Sequence, residues 1–246
     1  MTYCVAISVD QGLVFVSDSR TNSGVDNVST YSKMRSFGVP GERQFVICAA
    51  GNLATTQSVF LQLERDIAGN APQNLMNLTG VADAASYLGR VSVEQQRETP
   101  GGPVFEASFL IGGEVAGSTR SRSFMVYPEG NHIASGPQTP FLQIGEIKYG
   151  KPILDRVVSA DTSLEDATVC ALLSMDATTR SNVSVGPPIE VRAYHSGTLQ
   201  PPRYVSFGDD SPYLHELRRA WTHELHAALR RLPAVGWNEA ATAREL

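Results

Sequence analysis

The head of the chain constrains its fold most. Residues 3–9 (Tyr-Cys-Val-Ala-Ile-Ser-Val) and 12–17 (Gly-Leu-Val-Phe-Val-Ser) are strand-like runs on either side of Asp10-Gln11-Gly12, a short glycine-containing turn, and together they predict a β-hairpin. Residues 19–32, with Asn22, Gly24, Asp26 and Asn27, are expected to form a loop or a poorly patterned extended segment. Strands are predicted at 34–37 and 44–50, around the turn signal Gly38-Val39-Pro40-Gly41.

Gly51-Asn52 then opens a helical pattern, with Leu53, Val59, Phe60 and Leu63 on one face, which fades at Gly69-Asn70. A second helix is predicted over 80–96, with Val81, Ala84, Ala85, Leu88 and Val91 inward. Pro100-Gly101-Gly102-Pro103 breaks that pattern, and strands follow at 104–111, 123–127 and 141–144, with a turn at Pro128-Glu129-Gly130-Asn131. Helices are expected over 149–158 and 163–179, the second opening with the N-terminal chemistry of Thr162-Ser163-Leu164-Glu165. Strands return at 189–194 and 204–207, and the longest helix, 211–232, has Ser211 as its cap and Pro212 at its first position. Residues from Ala234 onward have the composition of a short tail.

Strands in antiparallel-compatible runs and helices in pairs are not the alternation of a doubly wound parallel fold. They predict an α+β fold in which two antiparallel sheets lie face to face with helix pairs outside. No repeat, low-complexity block or linker divides the 246 residues. A single domain over 1–246 is expected, with a C-terminal helix and tail from about 211.

Composition excludes several function classes. A net charge of -5 argues against nucleic acid or an anionic membrane as partner. No apolar run approaches the ~20 residues that cross a bilayer, and no basic stretch followed by an apolar one forms a leader. The three cysteines, Cys4, Cys48 and Cys170, are scattered through apolar segments, as expected of reduced thiols in a cytoplasmic protein. The only lysines are Lys33, Lys148 and Lys151. No metal site or cofactor is expected: His223-Glu224-Leu225-His226 lacks the i, i+4 spacing of a zincin, and the glycine-rich 112–117 lacks the Lys-Ser/Thr of a phosphate loop.

The residues able to carry chemistry are Thr2, Asp18 and Lys33, with Gly51. Removal of Met1 would leave Thr2 with a hydroxyl nucleophile and a free α-amine, whose ordinary pKa of about 7.7–8.0 suits a general base. A lysine beside the hydroxyl lowers the hydroxyl's pKa, and an aspartate holds that lysine. An oxyanion needs a backbone N–H where a helix begins, and the Ala49-Ala50-Gly51-Asn52 junction offers one. Each piece also has a plainer reading: threonine often follows an initiator methionine, Asp18 suits a strand end, and Gly51 suits a tight corner.

Taken in order, Thr2 before a strand, the Ser17-Asp18-Ser19-Arg20 block, Lys33, and Ala50-Gly51 before a helix resemble proteasome β-type subunits. Longer phrases are similar to the bacterial proteasome-related Anbu family. These are Leu13-Val14-Phe15-Val16-Ser17-Asp18-Ser19-Arg20-Thr21-Asn22, Ala50-Gly51-Asn52-Leu53-Ala54-Thr55-Thr56-Gln57, Gln143-Ile144-Gly145-Glu146, and Tyr149-Gly150-Lys151-Pro152-Ile153-Leu154-Asp155-Arg156. Ser181-Asn182-Val183-Ser184-Val185-Gly186 before Pro187-Pro188-Ile189 fits the same family, so nearly the whole chain is covered.

The resemblance implies a four-layer αββα N-terminal-nucleophile hydrolase that self-assembles into a ring or an open spiral. It implies Thr2 as nucleophile, Asp18 and Lys33 as its supporting pair, Gly51 as oxyanion donor, and Arg20, Ser181 and Ser184 as supporting residues. The chain departs from proteasome subunits at Ser181, where they carry aspartate, and near Glu146, where they carry serine. The expected activity is that of a threonine-type peptidase; the alternatives are a small-amide hydrolase of the same fold or a self-assembling scaffold without catalysis. The partners expected are a peptide or small-amide substrate and further copies of the chain; an ATPase partner is not specified by the residues.

Overall fold

The computed structural model describes residues 1–22, 28–98 and 105–235. The loop residues Gly24, Asp26 and Asn27, the 100–103 break, and the tail beyond 235 lie outside the described residues. The elements run β1 (Tyr3–Val9), β2 (Gly12–Asp18), β3 (Arg20–Asn22), β4 (Val28–Thr30), β5 (Met34–Val39), β6 (Arg43–Gly51), α1 (Leu53–Ala68) and α2 (Val81–Glu98). They continue with β7 (Ala107–Val115), β8 (Arg122–Val126), β9 (His132–Ala134), β10 (Phe141–Gly145), α3 (Lys151–Val157), α4 (Leu164–Ser181), β11 (Ile189–His195), β12 (Arg203–Phe207) and α5 (Pro212–Leu229).

Two five-stranded antiparallel sheets dominate, with strand orders β10-β1-β2-β11-β12 and β5-β6-β7-β8-β9, and β3 and β4 form a separate ribbon. The predicted hairpin is the centre of the first sheet. Tyr3 through Ile7 are all 0% exposed, because β1 is covered on both faces and so carries apolar side chains at successive positions.

The period of two decides which layer each residue joins. In β6, Phe45, Ile47 and Ala49 pack with Val59, Phe60 and Leu63 of α1 and with Ala84, Ala85 and Leu88 of α2. The alternate residues Val46, Cys48 and Ala50 face Cys4, Ala6, Leu13 and Phe15 of the first sheet. On the first sheet's other face, α4 packs against β1, β2 and β11, and α3 packs on α4. All three cysteines are buried and free.

The helix starts follow their caps. Asn52 Oδ1 accepts the Thr55 amide at 3.1 Å to open α1, and Ser163 Oγ accepts the Asp166 amide at 3.0 Å to open α4. No described helix is long and apolar enough to cross a membrane.

Residues 19–32 hold the short strands β3 and β4, which pair with each other, in keeping with the extended-segment reading of that stretch. Two other strand assignments differ from those expected. β7 runs on through Gly112 and Gly113 to Val115. Glycine is needed there because a Cβ on Gly112 would lie 2.7 Å from Phe15 Cζ, and one on Gly113 would lie 1.8 Å from Gln44 O. β9 was not expected: its three residues are intermediate or exposed and show no apolar pattern.

The described chain forms two compact units, Met1–Asp210 and one beginning at Ser211. In the second, Ser211 Oγ accepts the Leu214 amide at 3.4 Å, and no residue of α5 is buried.

Leu63 is 0% exposed and Leu61 is 50% exposed on the same helix. Leu63→Ala is expected to lower unfolding free energy by about 2–5 kcal/mol and Leu61→Ala by under about 0.5 kcal/mol. Urea denaturation of the two variants measures the contrast, and equal losses would refute the assigned helix face.

Candidate active site

The hairpin register builds the site. Cys4 pairs with Ser17 across β1 and β2, so the next position outward sets Tyr3 against Asp18. The Tyr3 amide donates to Asp18 Oδ1 at 3.0 Å, and Thr2 stands one residue beyond. On the other edge of β1, Tyr3 pairs with Gly145, and the Glu146 amide donates to Thr2 O at 2.8 Å. Gly145 has φ +82°, and a Cβ on it would lie 2.0 Å from Thr2 O. Thr2 is thereby held between the two strands that flank β1.

Lys33 comes from the second sheet, one residue before β5. Its carbonyl accepts the Ala49 amide at 2.9 Å, which aligns it with the end of β6. Its Nζ donates to Asp18 Oδ1 at 2.8 Å and to Arg20 O at 2.7 Å, with the lysine 7% and the aspartate 0% exposed. Burial pushes the Asp18 carboxyl above its ordinary value. The Lys33 ammonium and the amides of Tyr3 and Gly186 pull it back without cancelling that rise.

Gly51 ends β6 with φ +120°, and Asn52 donates its amide to Glu106 O at 3.0 Å, on the β7 side. The Ala49 amide points the opposite way, to Lys33. Backbone groups two residues apart on a strand face the same edge, so the Gly51 amide faces the edge where β5 has ended. There a cleft of about 140 Å³ is lined by Thr2, Thr21, Lys33, Ala50, Gly51 and Thr56, among others. An adjoining pocket of about 280 Å³ shares the Lys33, Ala49, Leu53 and Thr56 walls and extends to Arg35, Phe60 and Glu64.

Arg20 stands behind the cleft rather than in its lining. Its amide donates to Gly186 O at 3.2 Å and its guanidinium to Val183 O at 3.0 Å, with Asp209 at 3.6 Å. A Cβ on Gly186 would lie 2.4 Å from the Arg20 guanidinium carbon, so this contact requires glycine.

Ser181 and Ser184 are not brought into the cleft. Ser181 is the exposed last residue of α4, and the Ser184 amide donates to Asn182 Oδ1 at 3.0 Å; neither side chain bonds Thr2. The residue of that segment which reaches toward Thr2 is Asn182. Its Nδ2 donates at 3.0 Å to Glu146 Oε2, the carboxylate of the residue that bonds Thr2 O. Thr21 was likewise not singled out. It lines the cleft with a buried Oγ1 that has no hydrogen-bond partner, and its signal in the sequence was only its place after Ser-Asp-Ser-Arg.

Asp18 and Lys33 are tested as a pair by their stability. Asp18→Ala is expected to cost about 3–5 kcal/mol by leaving a buried ammonium alone, and Asp18→Ala with Lys33→Met to recover a large part of it. Chemical denaturation of both proteins decides; simple additivity would show that the pair is not coupled.

No protein-family model and no curated protein sequence matches the chain. Solved structures do. Anbu (ancestral beta-subunit) from Yersinia bercovieri is 44% identical with a TM-score of 0.90, over 95% of this chain and 98% of that one. The helical assembly of the Anbu complex from Pseudomonas aeruginosa gives 44% identity and a TM-score of 0.90, over 96% of this chain and 99% of that one. An Anbu (Gly-1) mutant from Hyphomicrobium sp. strain MC1 gives 40% identity and a TM-score of 0.90, over 96% and 99%. With that identity sustained over nearly the full length of each chain, this protein belongs to the Anbu family of ancestral proteasome β-subunits.

Proposed function

We propose that this protein is an N-terminal-threonine amide hydrolase of the αββα N-terminal-nucleophile type, working as a self-assembled homo-oligomer. The observation that carries the reading is the buried Asp18–Lys33 pair, whose lysine lines a cleft together with Thr2 and Gly51. Met1 is 65% exposed, so an aminopeptidase can reach it. While Met1 is attached, the Thr2 nitrogen is an amide and cannot act as a base.

Once freed, the Thr2 amine takes the hydroxyl proton, and Oγ1 attacks the substrate carbonyl carbon. Lys33, fixed by Asp18, lowers the hydroxyl's pKa, and the Gly51 amide donates to the oxyanion as it forms. The leaving amine departs with the proton, and water then hydrolyses the ester on Thr2. Arg20 braces the 183–186 segment, whose Gly186 amide donates to Asp18 Oδ2 at 3.3 Å. Glu146 with Asn182, rather than Ser181 and Ser184, supports Thr2 in this reading. The neighbouring pocket would take a substrate side chain against Phe60, between Arg35 and Glu64.

The Pseudomonas aeruginosa relative forms a helical assembly, which supports an open spiral for this chain as well. A second reading is hydrolysis of a small amide rather than a peptide. An open spiral, unlike a closed ring, does not enclose a chamber, which favours a small substrate.

The intact mass of protein purified from cells is expected to lack Met1. Protein so processed should cleave fluorogenic peptides or acyl-amides, with Thr2→Ala inactive; turnover unchanged in Thr2→Ala would remove Thr2 from the mechanism. The pH profile should fall on the acid side in two steps. The first follows protonation of the Thr2 amine below about 7.7–8.0. The second follows Asp18, whose raised carboxyl takes its proton above the ordinary 3.8 and so releases Lys33 at a higher pH than an exposed aspartate would. A single acid-side step down to pH 3.8 would show that Asp18 ionisation is not needed.

A further inference from the structure

A second polar cavity, of about 340 Å³, opens at the other end of β1. Six residue steps along the strand separate Thr2 from Ser8 on its wall, about 20 Å at the usual strand rise. Both sheets contribute: Ser8 near the end of β1, Arg122 at the start of β8, Ser135 just after β9, and Ser196 just after β11.

Along the middle of β1 the layer between the sheets is apolar, but at this end it includes a group of serine hydroxyls. Ser8, Ser123 and Ser135 form a closed triangle, with Oγ–Oγ distances of 2.5, 3.0 and 3.0 Å. Ser121 and Ser196 form a separate pair at 2.6 Å. Two hydroxyls joined by one hydrogen bond hold two protons and use one, so this pair keeps a donor for the cavity.

Arg120 and Arg122 line the same cavity, and neither side chain makes an ion pair or hydrogen bond with any described residue. Asp10 is the one acid in the lining and is in no ion pair, so it leaves both guanidinium groups unneutralised. Two cations and one anion give the lining a formal charge of +1 in a protein whose net charge is -5. Partnerless arginines beside buried serine hydroxyls match an oxyanion, since each guanidinium offers a planar fork of donors. A carboxylate presents about four lone-pair sites, one fewer than the five donors of two guanidinium forks and a hydroxyl; a phosphate group, with three terminal oxygens, can accept them all. The volume lies at the lower end of ligand cavities, with room for more than the phosphate itself.

We infer that this cavity, separate from the Thr2 cleft and independent of the activity assigned to it, binds the phosphate group of a small molecule, either inorganic phosphate or a phosphate monoester. The ligand's phosphate sits between Arg120 and Arg122 and accepts the free proton of the Ser121–Ser196 pair.

Isothermal titration at constant ionic strength tests this with two probes, inorganic phosphate and glycerol 3-phosphate, on the full-length protein. Saturable binding is expected for wild type and for Thr2→Ala alike. Arg120→Gln with Arg122→Gln should weaken it roughly tenfold or more, as expected for loss of charge-assisted hydrogen bonds. Asp10→Asn should tighten it by removing the lining's one negative charge. Both arginines are exposed and without partners, so their replacement leaves the fold intact. Tighter binding of the ester identifies a monoester as the ligand, and equal or tighter binding of inorganic phosphate identifies the free ion. Absence of saturable binding with both probes, or an arginine double variant that binds as wild type does, would overturn the assignment.

Discussion

The ion pair between Asp18 and Lys33 is the constraint on which the rest of the structure near Thr2 depends. Asp18 ends a central strand of one sheet and Lys33 precedes an edge strand of the other, so their 2.8 Å contact ties the two sheets together where the chain begins. A carboxylate with no exposure is costly to ionise unless donors surround it. Asp18 has three: the Tyr3 amide, the Lys33 ammonium and the Gly186 amide. Each comes from a different part of the chain, so satisfying one side chain positions the N-terminus, the start of β5 and the loop after α4 at once.

The same economy places Thr2. A hairpin of fixed register sets Asp18 opposite Tyr3, and β10 pins the Thr2 carbonyl from the other side through the Glu146 amide. Glycines admit these close approaches at Gly145 and Gly186, where a Cβ would fall within 2.4 Å of Thr2 O or of the Arg20 guanidinium. At the opposite end of β1 the layer between the sheets changes from apolar side chains to serine hydroxyls, with two arginines on the rim. One strand thus runs between two polar sites with a dry core along its length.

Much of this was legible in the residues. The hairpin, the helix start at Gly51-Asn52, the apolar faces of α1 and α2, and the pairing of strands with strands follow from turn signals and from periods of two and 3.6, which are local properties of a chain. Thr2, Asp18, Lys33 and Gly51 could be singled out as candidates because their order resembles that of proteasome β-type subunits. β9 was not, since three partly exposed residues carry no period. The run of β7 through Gly112 and Gly113 was hidden because glycine reads locally as a break, whereas here a phenylalanine ring and a neighbouring carbonyl occupy the space a Cβ would need. Ser181 and Ser184 were expected near Thr2, but the chain turns so that Asn182 between them makes the contact with Glu146.

What the sequence by itself determined is the set of elements, their order, the family resemblance and the candidate residues proposed to act on a carbonyl, because each rests on local pattern or on side-chain chemistry. Tertiary structure alone decided which of those residues meet. It buried Asp18 completely, brought Lys33 to it from the facing sheet, left the buried Thr21 hydroxyl beside the cleft without a partner, and gathered four serines and two arginines from four strand ends into one cavity. These outcomes depend on pairing register and on the packing of one sheet against another, and such long-range distances are not written in any stretch of chain short enough to read.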